Sequence, residues 1–145
     1  MYKNILIATD GSEFANKAIP HAIELTKALG ATLSAVTVTE PYEAVAIPQA
    51  SGLMLPAEYK KQCDEIATKT LSVVTSAAEA AGIKCNALHQ DNRLPYVGII
   101  EAADEVSADL IVLSSHGRRG IAGLLLGSEA TKLLTHSKVP ALVVR

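Results

Sequence analysis

The residues best placed to do chemistry lie between Asp109 and Ser128, in the stretch DLIVLSSHGRRGIAGLLLGS. Leu110 to Leu113 is apolar without alternation, the pattern of a strand covered on both faces. A polar loop with glycines follows, from Ser114 to Gly123. Then come Gly127 and Ser128, and EATKLLTHS, which reads as a helix. Ser128 is the expected N-cap, its hydroxyl accepting one of the first free helical N–H groups. Strand, glycine loop and helix start together form an anion site, because free N–H groups and roughly half a unit of positive dipole charge converge there. Gly127 and Ser128 would hold phosphate oxygens, although the same pair also makes an ordinary turn and cap. Gly117 either lets the backbone approach a ligand or makes a left-handed turn. Arg118 and Arg119 carry fork-shaped donors suited to phosphate, with Arg118 the better placed.

This stretch resembles the signature of the universal stress protein family, whose nucleotide-binding members carry G-x2-G-x9-G-S. Here the register gives Ser114, Gly117, Gly127 and Ser128, with serine in place of the first glycine. The likeness runs from YKNILIATDGS at the start to KVPALVVR at the end. It implies a flavodoxin-like α/β fold, a parallel sheet of five strands in the order 3-2-1-4-5 with helices on both faces. In such a sheet the site lies beyond the carboxyl ends of the strands, where the order reverses. That point falls between strands one and four, whose ends carry Asp10 and Ser114.

The resemblance further implies a dimeric stress-response regulator or sensor that binds ATP with Mg²⁺, or AMP or another adenine nucleotide. Asp10 matches an aspartate on the adenine side, and its other reading is an Asx bond that shapes the Asp-Gly-Ser turn. Val38 matches a position whose backbone contacts adenine. The implied binding set is Asp10, Val38, Ser114, Gly117, Arg118, Gly127 and Ser128, with Glu129 beside it. Glu129 complements the helix dipole when no ligand is present. It would oppose a phosphate by about 1 kcal/mol at 4 Å in water and about 4 in a partly shielded site. The rival reading is a member that works through protein contacts alone, favoured by Ser114 and Glu129. The apolar last strand, Ala141 to Val144, would sit at a sheet edge, where an open edge is usually covered. The resemblance supplies a second copy of the chain as the cover.

Other chemistries find little support. There is no G-x4-G-K-[ST] loop, no G-x-G-x-x-G and no G-x-S-x-G. His21, His89, His116 and His136 are scattered without ligand spacing, so no metal site is expected. No general base with an orienting partner is visible, which leaves at most a slow ATPase using His116 or Asp10. Cys63 and Cys85 make neither a disulfide framework nor a metal site by their spacing.

The elements that must hold this site follow from the pattern. The 145 residues suit a single domain, 1–145, and the 49% hydrophobic content excludes disorder. With no tryptophan and Phe14 the sole phenylalanine, the core must be aliphatic. A formal charge of −2 gives no footprint for nucleic acid or an anionic membrane. No apolar run approaches a membrane span of ~20 residues, and the start lacks a signal-peptide pattern. A reduced cytoplasmic location is expected.

Strands are expected over Lys3–Ala8, Ala31–Thr39, Ile83–Gln90, Leu110–Leu113 and Val139–Arg145. A helix from Ser12 to Leu29 would be bent, or weakened in its first half, by Pro20 and stopped by Gly30. A second runs from Ala57 to Ala81, with Ile66, Leu71, Val74 and Ala78 inward. A third covers Tyr96–Ser107, with Val97, Ile100, Ala103 and Val106 inward and Pro95 in its first turn. Between them, Glu40 to Pro56 carries Pro41, Pro48 and Pro56, which argue against regular structure. It is longer than the usual ~4–6 residue connection, and reads as a core cover or as a lid beside the site.

Overall fold

The computed structural model describes residues 1–46, 54–118 and 126–145. Five strands form one parallel sheet: β1 (Asn4–Ala8), β2 (Thr32–Thr39), β3 (Cys85–Asp91), β4 (Leu110–Ser114) and β5 (Ala141–Val144). Their spatial order is β3-β2-β1-β4-β5, as the resemblance implied, and each neighbouring pair is parallel. The helices are α1 (Glu13–Asn16), α2 (Ala18–Leu29), α3 (Tyr42–Ala46), α4 (Pro56–Ala80), α5 (Pro95–Glu105) and α6 (Ser128–His136).

Because side chains alternate along a strand, each face of the sheet collects its own core. On one face Ile5, Ile7, Leu33, Ala35 and Val112 pack against Ile19 and Ile23 of α2 and Leu71, Val74 and Ala78 of α4. On the other, Leu6, Val36, Ile111 and Leu113 pack against Ile99, Ala102 and Ala103 of α5 and Leu133 of α6. The core is aliphatic as expected. Phe14 stays 46% exposed. Each fully buried Ile or Leu contributes roughly 1.5–3 kcal/mol. No helix among the described residues is long and apolar enough to cross a membrane.

Several expectations are corrected. The first helix is weakened in its first half rather than bent, and falls into two, broken at Lys17. Pro20 has no N–H to reach the Asn16 carbonyl four residues back, so the ladder fails one turn before the proline. Gly30 then ends α2 in a left-handed conformation. The Glu40–Pro56 segment does hold regular structure, the short α3, since Pro41 precedes it and no proline falls within it. Its start is tied to α4 by the Tyr59 hydroxyl, which donates to the Glu40 carbonyl (2.7 Å), and its own Tyr42 hydroxyl donates to the Met54 carbonyl (3.1 Å). Residues 47–53 of that segment lie outside the described residues.

On α4 the buried face is Ala67, Thr70, Leu71, Val74 and Ala78, and Ile66 is 45% exposed. Leu71, Val74 and Ala78 face inward as expected, and Ile66 falls one position outside the stripe. On α5 the buried face is Gly98, Ile99, Ala102 and Ala103, while Val97, Ile100 and Val106 are half-buried. Gly98 lies against β2, where an added Cβ would stand 2.8 and 2.9 Å from the two Val38 methyls.

The end of the sheet opposite the carboxyl ends is closed by Asp109, whose carboxylate accepts the Lys3 and Asn4 amides at 2.8 and 3.0 Å. Desolvation tends to raise its pKa, but these backbone N–H bonds outweigh it and hold it below the usual carboxylate value. The ionised form is therefore favoured by folding. Its stability is present above the unfolded pKa and is lost as pH falls through the folded one. Asp109→Asn is expected to reduce the acid-dependent loss of stability in urea titrations between neutral pH and pH 3. An unchanged pH dependence would contradict this. On the other side of the sheet, Gly98→Ala should lower stability, because steric conflict of about 1–3 kcal/mol exceeds the roughly 1 kcal/mol of helix propensity gained. A variant as stable as the parent in urea would disprove the close α5–β2 contact.

Candidate functional site

The topology reverses between β1 and β4, and the loops after these strands meet there. After β1 the Thr9 amide continues the ladder to the Val36 carbonyl. Gly11 then takes a left-handed conformation (φ +79°), and its amide donates to the Thr9 hydroxyl. This turn aims Asp10 across the gap. One carboxylate oxygen, Oδ1, accepts the Ser12 amide at 3.0 Å, the expected Asx bond. Ser12 in turn caps α1, its hydroxyl accepting the Ala15 amide. The second oxygen, Oδ2, accepts the Arg118 amide at 2.6 Å. Asp10 thus joins the β1 loop to the β4 loop with one oxygen for each. A bond from N–H to a carboxylate is stronger than a neutral one, contributing about 1.5–3 kcal/mol.

Gly117 explains how that bond forms. It is not among the glycines with positive φ, so a left-handed turn is not its role. An added Cβ would stand 2.5 Å from Asp10 Oδ2. The glycine makes room for the aspartate. Arg118 contributes its backbone amide, and the residue is exposed at the rim. Arg119, Gly120 and Gly123 lie outside the described residues.

The other side of the loop is built on Ser114 and Ser115, both buried. The Ser114 hydroxyl faces the His116 amide (3.5 Å), turned back on its own loop. The Ser115 amide donates to the Val144 carbonyl of β5, and its carbonyl accepts the Gly127 amide at 2.6 Å. An added Cβ on Gly127 would lie 2.6 Å from that carbonyl oxygen. Gly127 is therefore required by a backbone contact that no side chain can relieve. His116 packs against Phe14, with ring centres 6.1 Å apart, and its Nδ1 meets the Ser115 hydroxyl at 3.0 Å.

Helix α6 begins one residue earlier than expected. Gly127, not Ser128, is the N-cap, and Ser128 is the first helical residue. The close Gly127–Ser115 approach sets where the helix can start. No side chain among the described residues caps it. Its first N–H groups thus face the crevice beside the Asp10 bridge. Glu129 is occupied elsewhere: Oε2 accepts the Tyr96 amide at 3.1 Å, and Oε1 pairs with Lys132 at 3.1 Å. It serves as the missing cap of α5, which has no side-chain cap of its own. Lys132 offsets part of the charge expected to repel a phosphate.

Asp10, Gly117 and Arg118 are therefore one contact set and Gly127 joins Ser115 in another, whereas Ser114 turns to His116 and Ser128 only begins α6. Val38 and Glu129 stand apart from the Asp10 bridge and both reach α5, Val38 through Gly98 and Glu129 through Tyr96. Ser115 was not visible as a site residue. Its contribution is a backbone carbonyl, which any residue type supplies. No group of three potential metal ligands occurs among the described residues.

A sequence model of the universal stress protein family matches residues 1–145. A universal stress protein of Methanocaldococcus jannaschii is 33% identical over 145 residues, covering 100% of this chain and 83% of that protein. Among solved structures, a hypothetical protein whose biochemical function was assigned from its structure superimposes with a TM-score of 0.83. It is 26% identical, over 99% of this chain and 96% of that one. A universal stress protein in complex with cAMP superimposes with a TM-score of 0.68 at 27% identity, over 99% and 97% of the two chains.

Gly127→Ala is expected to destabilise the protein by about 1–3 kcal/mol, because the strand-to-helix loop must open to admit the methyl group. Equal urea midpoints for the variant and the parent would show that the loop gives way freely.

Proposed function

Because this chain belongs to the universal stress protein family, we propose that it binds an adenine nucleotide at the β1–β4 crevice and acts as a dimeric stress-response regulator. The observation that carries this reading is the uncapped start of α6, held beside the Asp10 bridge by two glycines that leave no room for a Cβ. Free N–H groups at a helix start favour phosphate oxygens. Arg118, exposed at the rim, would close over the phosphates with its guanidinium. The Gly127 amide is held by the Ser115 carbonyl, so Ser128 and the residue after it would supply the backbone donors, and the Ser128 hydroxyl a further one. The adenine would lie toward Asp10 and the Val38 backbone, at the carboxyl ends of β1 and β2. Ser114 would stand beneath the sugar and phosphates. ATP with Mg²⁺ is the ligand this arrangement suits first, and the cAMP complex of a relative supports the adenine part of the reading. When bound, Mg²⁺ would neutralise phosphate charge near Glu129. A cytoplasmic setting accords with the free thiols Cys63 and Cys85.

Titration calorimetry with ATP and Mg²⁺ tests this. Micromolar binding is expected, weakened about tenfold in Arg118→Ala, the loss of one charged hydrogen bond of roughly 1.5 kcal/mol. That variant keeps the backbone amide that Asp10 needs, so the loop stays folded. No heat from ATP, AMP or cAMP would refute nucleotide binding and leave the protein-contact reading.

The second copy would pair through β5. Ala141, Leu142 and Val143 on this edge strand are only half-buried. Apolar edges of this kind recruit a cover. Sedimentation should show a dimer at micromolar concentration and a monomer for Leu142→Asp. A monomeric parent protein would refute it.

A further inference from the structure

Away from the crevice, three side chains from three elements lie in a row, joined by one hydrogen bond and one ion-pair contact. Thr39, the last residue of β2, places its hydroxyl 2.7 Å from His89 Nε2. His89 lies on β3, paired in register with Thr37, so that its ring reaches diagonally to Thr39. The opposite ring nitrogen, Nδ1, lies 3.3 Å from Asp64 Oδ1 on α4. The second Asp64 oxygen accepts Lys60 Nζ at 2.6 Å. The order is hydroxyl, imidazole, carboxylate, with the imidazole using both nitrogens.

We propose that Thr39, His89 and Asp64 form an acyl-transfer triad in which the Thr39 hydroxyl accepts an acyl group from a small thioester or aryl ester. A hydroxyl is a poor nucleophile until a base takes its proton, and the base must hold the correct tautomer. Asp64 facing Nδ1 favours the tautomer with the proton on that nitrogen, which leaves the Nε2 lone pair directed at Thr39. The Lys60 bond first, and the His89 ring after it, hold the Asp64 carboxyl below its ordinary pKa against the desolvation that would raise it, so the acceptor stays ionised. The site is an open rim, with His89 24% and Asp64 46% exposed. Such a setting suits an acyl donor whose leaving group departs readily.

The step balances without a further reagent. Thr39 Oγ attacks the acyl carbon while its proton passes to His89 Nε2. The bond from the acyl carbon to the thiolate or phenolate breaks, and the leaving group takes that proton. Water then cleaves acyl-Thr39: His89 takes one proton from the water and returns it to Thr39 Oγ. The net reaction is ester plus water to acid plus thiol or phenol. Around the triad, Tyr59 and Cys63 of α4, Glu40 after β2 and Asp91 at the end of β3 are the other titratable neighbours. The Tyr59 hydroxyl is pushed up to about 12, chiefly by desolvation, and so competes for no proton near neutrality.

The probe is p-nitrophenyl acetate, with the acetylated residue located by peptide mass spectrometry on the full chain. One acetyl group on Thr39 is expected. It should be absent in Thr39→Val and retained in Thr39→Ser. His89→Gln should acylate about 100-fold more slowly, at the lower end of what a positioned base supplies. Asp64→Asn should also be slower, because the imidazole then loses its preferred tautomer. Acetyl groups found only on lysines, or an unchanged release of p-nitrophenol from Thr39→Val, would overturn the proposal. The latter result would mean that an imidazole acts alone.

Discussion

The arrangement of the crevice depends on one carboxylate. Asp10 gives Oδ1 to its own turn and Oδ2 to the amide of Arg118, 108 positions further along the chain. In a doubly wound sheet the two halves of the chain diverge at the strand where the order reverses, so nothing in the topology itself holds their loops together. A short acidic side chain facing two backbone donors does so, and the residue just before the distant donor must lack a Cβ. That is why Gly117 sits where it does. Gly127 meets a like requirement with backbone alone, since its neighbour is the Ser115 carbonyl. One glycine thus serves a side chain and the other serves the main chain.

A second coupling runs through α5. The helix starts at Pro95, which has no N–H, and the next amide, that of Tyr96, is satisfied from a different helix by Glu129. The acid that complements the dipole of α6 therefore complements that of α5 as well. Tyr96 also stacks on His136, at the far end of α6, with ring centres 5.1 Å apart. The two helices on this face are fastened at both ends of α6. Through Gly98, α5 also presses on Val38, at the carboxyl end of β2.

The two faces of the sheet carry different chemistry at its carboxyl end. On the α5–α6 face the end of β2 presents Val38 to a helix. On the α2–α4 face the next residue, Thr39, presents its hydroxyl to His89. Alternation along a strand separates them by one residue and places them on opposite sides. A single strand end can therefore border two distinct polar arrangements without their side chains touching.

Much of this was legible in the chain itself. The apolar runs of β1, β2 and β4, the stop at Gly30 and the turn at Asp10-Gly11-Ser12 are local matters of hydrophobicity and permitted φ, and residues 8–12 and 110–114 declare them directly. The strand order came with the family resemblance, and so did the grouping of Asp10 with Gly117 and Gly127. What the sequence left open was everything decided by the approach of distant elements. Periodicity placed Leu71, Val74, Ala78 and Ala103 inward correctly, but the docking of α4 and α5 on the sheet buried Ala67 and Ile99 where Ile66 and Ile100 were expected. Ser128 had the chemistry of a cap, yet the Ser115 carbonyl moved the helix start to Gly127. Glu129 read as a charge facing a phosphate until α5 brought an amide to it. His89 read as a lone histidine because its partners lie 50 and 25 positions away on other elements. Local energies select each element, whereas contacts between residues far apart in the chain exist only once the sheet has assembled and its helices have docked.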